Sequence, residues 1–159
     1  MICCSSKDPP PKNPEKTAGI FGDYKCDLPL KTLDSILDHA KEHHPEIRYI
    51  FLTGDYPPHD VWRQDRQHNL ASAKAIVEAI STRFPSSSNV QVFPAIGNHE
   101  IFPVNMFPTG DEPVPLNYDP GWLYNNLADL YLQWLPNETQ QQTLRDSGYY
   151  SIKANDKLR

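Results

Sequence analysis

No apolar run in this sequence approaches the ~20 residues that a membrane-spanning helix needs, which excludes such a helix within these 159 residues. Basic charge is also short. Fifteen Lys and Arg stand against 20 Asp and Glu, a net of −5, which argues against a nucleic-acid backbone as partner. Glycine is scarce, 7 residues against 16 prolines, so the loops are stiff and extended rather than pliant. Cysteines number three and histidines six. That leaves little material for a disulfide framework and few imidazoles for a metal site. The opening Met1-Ile-Cys-Cys-Ser-Ser6 has no apolar core of the kind a secretory signal carries. Apolar residues make up 38% of the chain, enough for one domain with a single core.

What is present is organised around Tyr49-Ile-Phe-Leu-Thr-Gly-Asp-Tyr-Pro-Pro-His-Asp60. The apolar, β-branched and aromatic run Ile47 to Thr53 predicts a buried strand. It stops at Gly54, and Asp55 follows at its carboxyl end, where open α/β sheets place ligands. Pro57 and Pro58 stiffen the next turn and present His59 just beyond the carboxylate. A second strand and loop of the same kind runs through Val90-Gln-Val-Phe-Pro-Ala-Ile-Gly-Asn-His-Glu100. Between them, Leu70, Ala73, Ile76, Val77, Ile80 and Phe84 form the stripe of a helix over about 65–84. Strand, helix and strand at this spacing predict a right-handed βαβ unit with Asp55 and Asn98 side by side.

Upstream, residues 1–20 read as a proline-rich tether and 21–159 as a domain. Asp27 is placed to cap a first helix carrying Leu30, Leu33, Ile36, Leu37 and Ala40, which should end before Pro45. His39, His43, His44 and His68 read as surface residues. Residues 101 to 120 form a long proline-rich loop whose Ile101, Phe102, Val104, Met106 and Phe107 either pack on the domain or touch lipid. A helix is expected from Trp122 to Leu135 and a further short one after Asn137, which also heads a glycosylation sequon. Gly148 to Ile152 reads as the start of a strand.

Gly54-Asp55 after one strand and Gly97-Asn-His-Glu100 after the next resemble the metallophosphoesterase (calcineurin-like) superfamily. The longer matches, Gly54-Asp-Tyr-Pro-Pro-His-Asp-Val-Trp62 and Gly97-Asn-His-Glu-Ile-Phe-Pro-Val-Asn-Met-Phe-Pro108, resemble its acid sphingomyelinase branch, as do Lys25-Cys-Asp-Leu-Pro-Leu-Lys-Thr-Leu33 and Gly121-Trp-Leu-Tyr124. The resemblance implies an α/β fold, a layered sheet with flanking helices, of which the βαβ core is present. It implies two zinc ions roughly 3.5–4 Å apart, with Asp55 bridging them and Asn98 giving a neutral carboxamide oxygen to one. His59 and His99 would stabilise the transition state and protonate the leaving group, and Asp60 and Glu100 would orient imidazoles. It also implies a Cys4–Cys26 disulfide, adding about 3 kcal/mol on the loop-entropy argument, with Cys3 left over.

The expected activity is hydrolysis of sphingomyelin to ceramide and phosphocholine in a secreted or lysosomal glycoprotein, with contact to a membrane surface and no nucleic-acid partner. Two alternatives stand beside it: a nucleotide or other phosphodiester as substrate, or an inactive fragment or binding module. The superfamily's Asp-x-His, Gly-His and Gly-His-x-His ligand motifs do not occur here. The expectation is therefore a central fragment of such an enzyme, inactive by itself.

Overall fold

The computed structural model describes residues 9–108 and 118–158. Among the described residues, four α-helices accompany a two-stranded parallel sheet, a partial α/β arrangement. Helix α1 spans Leu30–His43, strand β1 Tyr49–Leu52, helix α2 Arg66–Arg83 and strand β2 Gln91–Pro94. Helix α3 (Gly121–Tyr131) and helix α4 (Glu138–Ser147) complete the order. The strands pair in the register Ile50 opposite Val92 and Phe51 opposite Phe93, with α2 in the connection.

Helix α2 starts close to the expected position, and the Asp65 side chain caps it by accepting from the backbone N–H of His68 at 2.8 Å. It buries Ala73, Val77 and Ile80 and ends at Phe84, also buried. Arg83 fastens it to α1, reaching Asp38 at 2.6 Å and Asp34 at 2.9 Å. Helix α1 ends before Pro45 as expected, but its cap differs. Pro29 occupies the N-cap without a side-chain bond, because Asp27 is turned away toward His59.

Three other expectations are corrected. Strand β1 is buried on one face only: Ile50 and Leu52 pack on the core, while Tyr49 and Phe51 stay exposed, Phe51 at 64%. Phe93 stacks on Phe51 at 5.2 Å, so an aromatic strip and a cleft of about 510 Å³ mark the open face. Residues 148–152 form no strand. Gly148, at φ +71, closes α4, and the chain beyond is held by side chains, Tyr150 donating its hydroxyl to the Pro94 carbonyl at 2.8 Å. Helix α3 stops at Tyr131 rather than Leu135. Its last turn tightens, with Trp134 N–H donating to the Tyr131 carbonyl, ahead of Pro136, which disfavours helix at the residue before it.

The core gathers around the packed helices α2, α3 and α4, at Leu123, Leu127, Tyr131, Leu135 and Leu144. Ile101 joins it fully buried, and Phe107 packs against it. The 101–108 loop is thereby anchored on the domain, with Met106 left exposed.

Candidate functional site

The two glycine turns are built against each other. Gly54 has φ +78, and a Cβ there would land on the Gly97 backbone nitrogen. A Cβ on Gly97 would in turn land on the Asp55 carboxylate. Neither position tolerates a side chain, and the left-handed φ adds strain at Gly54 for any other residue. Asp55 itself takes φ +59, a conformation that aspartate adopts more readily than most residues.

Glu100 is the clasp. It is 1% exposed, with Oε2 accepting from the N–H of Asp55 at 2.9 Å and of Gly97 at 2.5 Å. Its Oε1 accepts from the N–H of Tyr56 at 2.6 Å. The expected role for Glu100, orienting an imidazole, is therefore corrected: its oxygens are occupied by the main chain of both loops. Asp60 accepts from Gln64 at 3.3 Å, and the imidazole of His59 is held by Asp27 instead. Asp27 Oδ1 lies 2.5 Å from His59 Nδ1, and Oδ2 accepts from the His59 N–H at 2.9 Å.

With the loops clasped, Asp55, Asn98, His99 and His59 come together at an open surface. Asp55 Oδ1 accepts from the His99 N–H at 3.0 Å. The rings of His59 and His99 meet edge-on, centroids 4.7 Å apart. His99 Nδ1 is buried with no hydrogen-bond partner among the described residues. Asn98 Nδ2 donates to Asn105 Oδ1 at 2.7 Å, and the Asn105 N–H donates back to the Asn98 carbonyl. That turns the Asn98 carboxamide oxygen toward the two Asp55 oxygens, 3.1 and 3.2 Å away. Three facing oxygens repel unless a cation lies among them or the Asn98 and Asn105 amides rotate together so that Asn98 donates to Asp55.

The chemistry of this donor pair suits a divalent cation: a carboxylate and a neutral carbonyl oxygen on one open surface. Among the described residues no group of three or more His, Cys, Asp and Glu side chains is placed to hold a metal. Asp55 and Asn98 thus fit as part of a ligand set. His39, His43 and His44 lie apart from the site at the exposed end of α1, His39 against the other two rings at 4.6 and 5.6 Å and His44 Nδ1 3.0 Å from Glu46.

Sequence reasoning did not single out Asn69 and Asn105, and it gave Asp27 to the cap of the first helix rather than to His59. Asn69, buried on α2, donates to the carbonyls of His99 and Glu100 at 3.0 and 3.2 Å and so steadies the second loop from below. A polar residue interrupting the apolar stripe of α2 was the available signal. Behind the site, burial pushes the Tyr56 hydroxyl up to about 12, and Tyr131, 3.5 Å away, is raised further still by burial and by Tyr56. Cys26 is disulfide-bonded; Cys4, its expected partner, and the left-over Cys3 lie outside the described residues. Asn137 caps α4, accepting from the Thr139 and Gln140 N–H groups.

The chain is a homologue of the sphingomyelin phosphodiesterases over nearly its whole length. It is 38% identical to sphingomyelin phosphodiesterase of Bos taurus and 40% identical to that of Homo sapiens, in both cases over 99% of this chain and 24% of the relative. It is also 35% identical to cyclic GMP-AMP phosphodiesterase SMPDL3A of Bos taurus, over 99% of this chain and 32% of that protein. The chain therefore spans about a quarter to a third of the length of these relatives. No family model matches it.

Proposed function

We propose that this chain supplies part of the active centre of a metal-dependent phosphodiesterase that hydrolyses sphingomyelin to ceramide and phosphocholine. The observation that carries the reading is the clasp of the two glycine turns by Glu100. It brings one carboxylate, one carboxamide and two imidazoles onto a single exposed surface. Asp55 and Asn98 hold zinc in this reading, and the remaining ligands come from outside the described residues. Bound zinc supplies charge to polarise the phosphodiester and lowers the pKa of coordinated water.

The side chains of this segment have separate tasks. Asp55 carries the negative charge that retains the cation, and its Oδ1 also anchors the His99 main chain. His99 and His59 donate to phosphoryl oxygen and to the departing alkoxide, tasks suited to imidazole near neutral or mildly acid pH. The His59 side chain is exposed, and its ring meets that of the half-buried His99 edge-on. Secretion or lysosomal residence, glycosylation at Asn137 and contact with a membrane surface belong to the same reading.

A nucleotide substrate is the second reading, since a relative named for cyclic GMP-AMP aligns over 99% of the chain. Assay of the active protein against sphingomyelin and against cyclic dinucleotides separates the two. For the site itself, Asp55→Asn should abolish most turnover and remove zinc, read by elemental analysis. His99→Ala should lower turnover about 100- to 10,000-fold while zinc stays bound. Equal zinc loss in both variants would overturn this division of roles.

A further inference from the structure

We infer that Asp27 is the positioning residue for His59, holding its imidazole with the proton on Nδ1 and leaving Nε2 to face the phosphodiester. The geometry stands by itself; the use made of Nε2 rests on the phosphodiesterase reading. One carboxylate binds one histidine twice, through the backbone N–H at 2.9 Å and through Nδ1 at 2.5 Å. The first bond fixes where the main chain of the proline turn stands, and the second fixes the ring. A carboxylate only accepts, so Nδ1 must carry the hydrogen of this bond, and in the neutral ring Nε2 is then the open nitrogen.

The surroundings agree with a carboxylate placed behind a working ring. The Asp27 side chain is 28% exposed and that of His59 58%, so the acid sits inward and the imidazole outward. On its other side the ring of His59 meets His99, whose own main chain is tied to Asp55. The path from Asp27 to the donor pair is thus continuous.

The local chain is built to hold Asp27 in this place. Gly22, at φ +88, turns tightly against the Pro29 ring, where a Cβ would sit 2.8 Å from Cδ. Thr32 on α1 donates its hydroxyl to the Phe21 carbonyl at 2.7 Å, and Cys26, next to Asp27, is disulfide-bonded. Asp27 stands three residues before the first residue of α1, where aspartate is a favoured cap. Yet the helix starts without any side-chain cap, and the carboxylate instead serves a residue 32 positions away. A structural tether would need only the backbone bond; the bond to Nδ1 sets a tautomer.

The test is an imidazole nitrogen–proton correlation spectrum of the isotope-labelled chain, with His68 as internal reference. Wild type should show His59 in the Nδ1–H form alone when neutral. Asp27→Ala should show both tautomers, and Asp27→Asn, which keeps the shape, should weaken the preference. A mixed population in wild type, or an unchanged spectrum in Asp27→Ala with native circular dichroism, would overturn the inference. In the active protein, Asp27→Ala should lower kcat about 100-fold with KM changed less than about threefold. The double variant with His59→Ala should lose no more than His59→Ala by itself. Additive losses would show that Asp27 acts elsewhere. If His59→Ala leaves kcat intact, the role given to His59 in the phosphodiesterase reading fails, while the spectra still decide on Asp27.

Discussion

Glu100 shows how one side chain can make a site without touching a substrate. Its carboxylate takes three main-chain N–H groups from two loops that are 44 and 45 residues, and 3 residues, away in sequence. Charge-assisted bonds of this kind are roughly twice as strong as neutral ones. Glu100→Gln keeps the size but offers one acceptor oxygen, and its amide nitrogen would face N–H donors in a closed space. With the amide oxygen in the place of Oε2, losing the Tyr56 bond and opposing donor to donor should cost about 1.5–3 kcal/mol of unfolding free energy. Urea unfolding of the chain reads this directly. Under the proposed metal-dependent reading, the same variant should also lose affinity for zinc, because Asp55 and Asn98 would no longer be held in register.

At the scale of elements, the helices serve the site by what they lock in place. Helix α2 carries Asn69 under the second loop and is itself pinned to α1 by Arg83. Asp38 beside that guanidinium is held below the usual carboxylate range, chiefly by their hydrogen bond. Helices α3 and α4 close the other side around Leu127, which is fully buried. Leu127→Ala leaves a cavity between packed helices and should cost about 2–5 kcal/mol. The measurement is again urea unfolding, and the slope with denaturant should stay constant if the fold is retained.

For the molecule as a whole, a cluster of buried tyrosines sets the alkaline limit. Tyr56 and Tyr150 are both pushed up to about 12 by burial, and Tyr131 beyond them. Each ionises in the unfolded chain near ~10, so the folded state holds the proton longer. The stabilisation is complete below pH ~10 and falls as pH rises toward the folded value. Two pH units on Tyr56 by itself correspond to about 3 kcal/mol. We expect unfolding between about pH 10 and 12, with tyrosinate absorbance rising in step with loss of circular dichroism. A smooth tyrosinate rise near pH ~10 with the fold intact would show the hydroxyls to be open to water. On the acid side, Asp38 and Asp65 have lowered values, from Arg83 and from the His68 N–H respectively. Their contribution is present above the unfolded value near ~4 and is lost as pH falls through the folded one.

The sequence by itself determined the local features. Gly54-Asp55 and Gly97-Asn-His-Glu100 are short motifs whose turns depend on residues adjacent in the chain, so the positions of Asp55, Asn98 and His99 at strand ends were legible. So were the helix α2 and the parallel pairing, because apolar spacing and a long crossover leave few arrangements. Only the tertiary structure decided what depends on distant partners. Glu100 turned to backbone amides because the closeness of the two glycine turns left its carboxylate between them. Asp27 left its helix for His59, and Phe51 stayed exposed beside a cleft it shares with Phe93, Leu144 and Tyr149. Periodicity reports which residues share a face; it carries no record of which distant group that face, or that charge, will meet.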